Sequence, residues 1–455
     1  MKNLSYFENI NKIYFIGIGG ISQSALACIM KANGFEVCGS DIVKSETTKK
    51  LESCCIKVNL KQKATNINQF KPDLVVYSGA IKKNNEELKQ AKNLNIACLE
   101  RSKFISKFLP FYKNVISISG THGKSTTTCM ISETFSLAGL NPTMHLGAES
   151  VNLNSNFLIG DNKFFINEAC EYRKSFLDFK STLGVILNIE EDHPDCYKDI
   201  NEVNNAFGEF YNICEKVIIN EGYVKNIENL IDNKTITFSL DKGNFVAKDI
   251  IINENGTATF KVYKNKEFYS QITLNIFAKH NVYNALASIA VCDYFNIDKQ
   301  IIKQALENFK GIKRRFEKVD SIFDSTVYFD YAHHPTEIKK LLEEVQVFNK
   351  PIICVFQPHT YSRTKKFFDE FLSSFDNCYQ VVFYKTYSAR EKELKGGRSK
   401  DLYFALKEQK NVYYYNSFNK IVRHLKRYAK VNNIVLFVGA GDIYNIKSLI
   451  EKKNK

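Results

Sequence analysis

Short runs of consecutive apolar residues recur along the chain, each ending at glycine or an acid and each followed by a stretch with helical apolar spacing. The first is Lys12-Ile-Tyr-Phe-Ile16, which meets Gly17-Ile-Gly-Gly20 and then Ile21-Ser-Gln-Ser-Ala-Leu-Ala27. A run of that length bounded by glycine predicts a strand buried on both faces, then a turn and a helix. The design returns at Phe35-Glu-Val-Cys-Gly-Ser-Asp41, at Asp73-Leu-Val-Val-Tyr-Ser-Gly-Ala-Ile81 and at Ile96-Ala-Cys-Leu-Glu100. Strands alternating with helices predict a small parallel sheet here.

A break at Pro110-Phe-Tyr-Lys-Asn114 restarts the pattern. Val115-Ile-Ser-Ile-Ser119, Lys163-Phe-Phe-Ile-Asn-Glu168 and Gly184-Val-Ile-Leu-Asn-Ile-Glu-Glu-Asp-His193 read as further strands with polar ends. From about Lys216 to Thr273 the runs shorten and turn β-rich, as in Thr235-Ile-Thr-Phe-Ser239, which predicts a small sheet appended to this region. Lys279-His-Asn-Val-Tyr-Asn284 opens a helix, and Gly311-Ile-Lys-Arg-Arg-Phe316 is a basic, hinge-like stretch. Beyond it lie Val327-Tyr-Phe-Asp-Tyr-Ala-His-His-Pro335, Ile352-Ile-Cys-Val-Phe-Gln-Pro-His-Thr-Tyr-Ser-Arg363 and Asn433-Ile-Val-Leu-Phe-Val-Gly-Ala-Gly-Asp442. The expected fold class is α/β in three domains, at residues 1–112, 113–313 and 314–455.

Composition narrows the class. With 455 residues the chain is too long for one core, and 44% hydrophobic with 25% charged residues is a globular balance. No apolar run is long enough for a membrane span, and Met1-Lys-Asn-Leu-Ser5 lacks the apolar core of a signal peptide, so a cytoplasmic location is expected. The 12 cysteines are scattered without a Cys-x-x-Cys pair, which argues against a zinc site or a disulfide framework. The net charge of +14 comes from lysines spread over the whole chain without a recognition motif, so a solvated basic surface is expected and no nucleic-acid partner.

The chemistry concentrates at Gly120-Thr-His-Gly-Lys-Ser-Thr126, between a strand and a helix. Backbone N–H groups of Gly120, Thr121, His122 and Gly123 at a helix start form a phosphate cradle. Lys124 reaches the outer phosphates, and a hydroxyl from Ser125 or Thr126 suits Mg²⁺. The glycine spacing is shorter than in the common P-loop. Strand C-termini of a parallel sheet share one edge, so Glu168 and His193 are expected to face those phosphates as metal-binding candidates, with the reservation that Mg²⁺ prefers oxygen. In the first region Gly17, Gly19 and Gly20 permit close backbone approach to a diphosphate, with Asp41 at the next strand end and Ser78 after another. Asn281 and Asn284 share a helix face, where capping is the commoner role. The strand ends carrying Asp330, Tyr331, His333, His334, His359 and Arg363 form one side of an expected cleft.

Together the ordered motifs resemble the Mur ligases of peptidoglycan synthesis. The match rests on Gly17–Gly20, Gly120–Thr126, Glu168-Ala-Cys-Glu-Tyr-Arg-Lys-Ser-Phe-Leu177, Asn188–His193, His280–Asn284, Arg314-Arg-Phe316, Asp330–Pro335, Gln357–Arg363, Ser388-Ala-Arg-Glu-Lys392 and Gly439–Asp442. The resemblance implies Rossmann-like first and third domains around a P-loop ATPase-like middle domain. It implies that ATP phosphorylates the carboxylate of UDP-N-acetylmuramate and that the L-alanine amine attacks the acyl phosphate through a tetrahedral intermediate. It implies that the first domain holds the UDP part through Gly17, Gly19, Gly20, Asp41 and Ser78, and that Mg²⁺ sits on Ser125 and Glu168, with His193 in a second metal position. Asn281 and Asn284 then lie beside adenine, Arg315 near phosphate and Asp330 on the ribose, while His333, His359 and Arg363 face the sugar carboxylate and alanine. A monomer or weak homodimer is expected. Ser22 and Gln23 stand where many members have Gly-Met, Ala332 where many have glycine, and Thr360 where many have a further arginine. The rival readings are a recycling ligase that attaches a tripeptide, a nicotinamide-dependent dehydrogenase suggested by the first glycine turn, and a non-catalytic nucleotide-binding regulator.

Overall fold

The computed structural model describes residues 1–455 except 2–3, 192–195, 231, 255, 278, 323–324, 390, 431 and 452–455. Strand β1 (Lys12–Ile16) is fully buried from Ile13 onward, as its unbroken apolar run requires of a central parallel strand. With β2 (Glu36–Ser40), β3 (Lys57–Asn59), β4 (Leu74–Tyr77) and β5 (Ala97–Glu100) it forms a parallel sheet in the order β3-β2-β1-β4-β5. The order reverses between β1 and β4, and that is where the carboxyl ends of a parallel sheet open a crevice. Gly17 and Ser78 stand at those two ends.

The second sheet has ten strands: β6 (Asn114–Ser119), β7 (Thr143–His145), β8 (Phe157–Leu158), β9 (Phe164–Glu168), β10 (Ser181–Ile186), β11 (Cys214–Asn220), β12 (Thr235–Ser239), β13 (Phe245–Ile252), β14 (Ala258–Lys264) and β15 (Glu267–Leu274). Their order is β15-β14-β13-β12-β11-β10-β6-β9-β7-β8. Strand β6 runs parallel to both of its neighbours, β9 and β10. The β-rich segment read as an appended sheet is joined to this one edge to edge, through a short parallel pairing of Phe238 and Ser239 with Phe245 and Val246. The strand predicted from Gly184 to His193 ends earlier, at Ile186. Past Ile186 the chain follows the end of β6 into its loop: the Leu187 N–H donates to Ser119 O at the end of β6 (3.0 Å), and Asn188 O accepts from the Thr121 N–H of the loop (3.3 Å).

One core serves both sheets. Phe104 and Phe108, on the helix Arg101–Phe108, meet edge to face at 5.5 Å, and Phe108 meets Phe165 of β9 in the same way at 5.4 Å. Tyr112 lies 4.9 Å from Phe165, which is completely buried. Residues 1–251 and 258–310 accordingly form one compact unit.

Residues 252–257 and 311–455 form the other. Its sheet comprises β16 (Glu317–Ile322), β17 (Ser325–Asp330), β18 (Ile352–Phe356), β19 (Gln380–Tyr384), β20 (Val412–Tyr415) and β21 (Ile434–Val438), in the order β16-β17-β21-β18-β19-β20. All pairs are parallel except β16 with β17. Buried Gln357, just past β18, ties three strand ends together: its Nε2 donates to Lys385 O (3.1 Å) and Asp442 Oδ1 (2.6 Å), and its Oε1 accepts from the Ile443 N–H (2.8 Å).

Phe165→Ala removes the ring that both sheets pack against, and the expected loss is about 3–5 kcal/mol of stability. Urea unfolding of the full chain measures it; a loss below about 1 kcal/mol contradicts the shared core.

Candidate active site

Glycine is dictated at both ends of the loop after β6. A Cβ on Gly120 would lie 3.1 Å from the Asn188 backbone nitrogen, and one on Gly123 would lie 2.4 Å from Asn284 Oδ1. Both glycines also take positive φ, +139° and +86°. The loop is clamped from one side by Asn188, which accepts from the His122 N–H (2.8 Å) and donates to the His122 carbonyl (3.0 Å). Thr121 Oγ1 accepts from the Glu190 N–H at 3.0 Å and donates to the Glu190 carbonyl at 3.2 Å. The helix Lys124–Leu137 starts at once, so its first N–H groups open onto the loop, and half-buried Ser125 and Thr126 lie in its first turn.

Lys124 turns back into this loop. Its Nζ donates to Gly120 O (2.5 Å), to Thr121 O (3.1 Å) and to both carboxylate oxygens of Glu171 (2.9 and 3.2 Å). Burial opposes the Lys124 charge most strongly, but the Glu171 carboxylate together with Cys170 and Glu168 outweighs it and holds the ammonium above its ordinary pKa. Glu171 is a site residue that reading the sequence passed over. Its signal was present in the spacing Glu168-x-x-Glu171, three residues past the end of β9.

Glu168 ends β9, in register with Ile118 of β6, and its Oε1 accepts from the Gly147 N–H at 2.8 Å. It lines a small cavity with Ser22, Arg101, His145 and Cys170. Ser22 Oγ lies 2.8 Å from His145 Nε2, a clasp between the first glycine helix and β7. Burial holds the His145 imidazole neutral, its pKa pushed down to about 3. The Ser125 hydroxyl and Glu168 carboxylate are oxygen donors of the kind a hard divalent cation takes. His193 lies outside the described residues.

Asn281 and Asn284 do not cap the helix His280–Tyr294, whose N-cap is Lys279 without a side-chain cap bond. Both are buried; Asn281 Nδ2 donates to Phe277 O (2.6 Å), Asn284 Nδ2 to Asn281 Oδ1 (2.9 Å), and Asn284 Oδ1 accepts from Thr127 Oγ1 (3.3 Å). This ladder ends against Gly123.

In the first sheet Gly17 has φ +80°, and a Cβ there would sit 3.5 Å from Ser78 Oγ. The Gly19 N–H donates to Asp41 Oδ2 at 3.0 Å, so Asp41 braces the glycine turn from the neighbouring strand end. Gly20 is the N-cap of the helix Ile21–Ala32. These five residues thus share one edge of the sheet.

The other compact unit gathers its own set. Asp330 ends β17, and its carboxylate accepts from the Phe316 and Ala332 N–H groups (both 2.8 Å); burial raises its pKa in spite of these bonds and of Arg315. Arg314 is committed to the Gly439 and Gly441 carbonyls (2.8 and 2.9 Å), whereas Arg315 is exposed, with its guanidinium 5.4 Å over the Tyr331 ring. His333 packs edge-on against His359 at 5.8 Å, and Arg363 lies 3.3 Å from His359 Nδ1. Burial lowers the pKa of both histidines, that of His359 to about 4, with His333 and Arg363 adding to the effect there. Thr360 holds a positive φ of +69°, rare for a β-branched residue, and its N–H donates to Tyr387 O at 2.8 Å.

Models of three parts of one family match consecutive stretches of the chain: the Mur ligase family catalytic domain over residues 12–113, the Mur ligase middle domain over 118–292 and the Mur ligase glutamate ligase domain over 314–441. The chain is 42% identical to a UDP-N-acetylmuramate–L-alanine ligase of Clostridium tetani, over 99% of this chain and 100% of that one. It is 41% identical to the enzyme of the same name from Acetivibrio thermocellus, over 99% and 98%. The structure matches that of the UDP-N-acetylmuramate–alanine ligase from Thermotoga maritima with TM-score 0.84 and 28% identity, covering 97% of this chain and 99% of that one. A murein peptide ligase from Psychrobacter arcticus shares the fold with TM-score 0.72 and 21% identity, over 97% and 98%.

The lowered histidine pKa values carry a sign for stability. A histidine that binds its proton near pH 4 in the folded state and near ~6.5 unfolded makes the unfolded chain the better proton acceptor between those values, so stability falls as pH drops through that window. NMR of the imidazoles is expected to show His359 titrating at about 4. A midpoint of 6 to 7 contradicts its burial beside Arg363.

Proposed function

The chain belongs to the Mur ligase family, and from that premise we infer that it joins L-alanine to the carboxylate of UDP-N-acetylmuramate, driven by ATP. It is an amide-bond-forming ligase of peptidoglycan precursor synthesis. Full-length identity of 42% to a relative that carries this activity in its name is the observation that carries the reading. That match favours alanine over a ready-made tripeptide, since likeness to the murein peptide ligase is at the level of fold. The same match disfavours the dehydrogenase and the non-catalytic regulator.

The chemistry follows from the loop. A carboxylate oxygen of the sugar attacks the γ-phosphorus, ADP departs, and the acyl phosphate forms. The alanine amine attacks the acyl carbon, loses its proton, and the tetrahedral intermediate expels phosphate. Negative charge spreads over the phosphoryl oxygens during the first step, so positioning and neutralisation are what the protein must supply. The loop N–H groups from Gly120 to Gly123 and the Lys124 ammonium supply them. Ser125, Glu168 and His193 are proposed to hold Mg²⁺, which when bound neutralises phosphate charge. Ser125 and Glu168 fit that role by their oxygen donors.

Further assignments follow from the same reading. Asn281 and Asn284 border adenine, Asp330 takes the ribose and Arg315 a phosphate. Gly17, Gly19, Gly20, Asp41 and Ser78 receive the UDP part. His333, His359 and Arg363 receive the sugar carboxylate and alanine, with the Arg363 guanidinium forking a carboxylate. Thr360 brings no second guanidinium, which leaves Arg363 the larger part in orienting the amino acid. The proposed domain boundaries are 112/113 and 313/314. Among the described residues no helix is long and apolar enough to cross a membrane, and a cytoplasmic, monomeric or weakly dimeric enzyme is proposed.

Phosphate release is to be followed with ATP, UDP-N-acetylmuramate and each amino acid in turn. Release is expected with L-alanine, and Lys124→Ala is expected to lower it about 10³-fold with the fold intact by circular dichroism. Release with no amino acid, or near-normal turnover in the variant, contradicts the reading.

A further inference from the structure

Lys124 has three N–H bonds and four acceptors within 3.2 Å: the Gly120 and Thr121 carbonyls and the two oxygens of Glu171. Every donor of the ammonium is therefore engaged inside the protein. The pair is secluded, with side-chain exposures of 15% for Lys124 and 3% for Glu171. A buried ammonium needs a compensating anion, because desolvation of a lone charge costs several kcal/mol. Glu171 supplies that anion inside the loop.

The two kinds of partner differ in how they respond to a phosphate. The carbonyls of Gly120 and Thr121 are part of the loop and travel with it. Glu171 carries a full negative charge, so a phosphate drawing close to Lys124 repels it while competing for the same N–H groups. Glu171 also sits on an irregular segment. Arg173 and Lys174, two and three residues on, hold left-handed φ values of +52° and +54°, which are uncommon outside glycine. The segment is kept in place by the Tyr197 hydroxyl, which donates to the Glu171 carbonyl at 2.5 Å, and by the Lys174 N–H, which bonds to the same carbonyl at 2.8 Å.

We propose that Glu171 is a positioning residue that holds the Lys124 ammonium back in the loop, so that a nucleotide must displace its carboxylate to gain the lysine. The proposal rests on the loop being the ATP site. Glu171 then lowers nucleotide affinity and ensures that Lys124 stays charged and in place when no phosphate is present.

The test is calorimetric titration of the full chain with ADP and with the non-hydrolysable analogue AMPPNP in magnesium buffer. Glu171→Gln keeps the shape and removes the competing charge. It is expected to tighten AMPPNP about five- to tenfold, the scale of one charge-assisted hydrogen bond exchanged. Glu171→Asp restores the charge and is expected to bring affinity back toward that of the parent chain. Tyr197→Phe loosens the segment without touching either charge, and a smaller tightening is expected; it serves also if Glu171→Gln fails to fold. A purely structural ion pair would weaken binding or leave it unchanged when broken. Unchanged or weaker AMPPNP binding in a folded Glu171→Gln chain, or in Tyr197→Phe where that chain does not fold, overturns the proposal. A parent chain that binds neither nucleotide overturns the ATP reading of the loop itself, which is a separate outcome.

Discussion

The parallel placement of β6 between β9 and β10 is the constraint on which the rest of the site depends. Parallel neighbours end on the same edge, so the loop after β6, Glu168 after β9 and Asn188 after β10 are delivered to one place. An antiparallel neighbour would have sent its polar end to the far side. The loop can then be short, because its shape comes from Asn188 on one flank and Asn284 on the other, and less from its own length. At Gly123 the contact leaves no room for a Cβ, and at Gly120 a tight contact combines with a φ of +139° to favour glycine. Charge follows geometry: once the lysine is folded into so enclosed a loop, a carboxylate such as that of Glu171 has to accompany it.

A second dependence is the core that the first two sheets share. Phe108, Tyr112 and Phe165 pack across the junction, and the Ser22–His145 clasp lies above them between the glycine helix and β7. Burial keeps His145 neutral, so the clasp persists unchanged over the physiological pH range. The other compact unit relies on a different device. Buried Gln357 joins the ends of β18, β19 and β21, and the side chains of His359 and Arg363 follow directly from that junction.

Much of this was legible in the sequence, for physical reasons. Continuous apolar runs such as Ile13–Ile16 and Ile352–Phe356, four or five residues long and followed by turn residues, suit strands buried on both faces of a parallel sheet, whose polar ends then gather on one edge. The strand–loop–helix arrangement around Gly120–Thr126 was legible because the apolar run Val115–Ser119 stops at glycine and a helical pattern follows Lys124. Other features were out of reach. From spacing alone Asn281 and Asn284 looked like caps, and only the family resemblance placed them beside adenine; nothing local reveals that Gly123 lies against Asn284. The spacing Glu168-x-x-Glu171 flagged a second acid close to Glu168, but only the turn after β9 shows that Glu171 faces Lys124. The end of β10 was misjudged because hydrophobicity continues through Leu187 and Ile189 while the backbone has already turned to the loop.

The central claim is that the loop transfers a phosphoryl group to the sugar carboxylate and that the amine then replaces it. Oxygen bookkeeping tests this most directly. UDP-N-acetylmuramate labelled with ¹⁸O in its carboxylate is turned over with ATP and L-alanine, and the released phosphate is analysed by mass spectrometry. An acyl phosphate predicts one labelled oxygen in each phosphate formed, because the carboxylate oxygen that attacked phosphorus leaves with it. Phosphate free of label, with amide product present, would contradict the account.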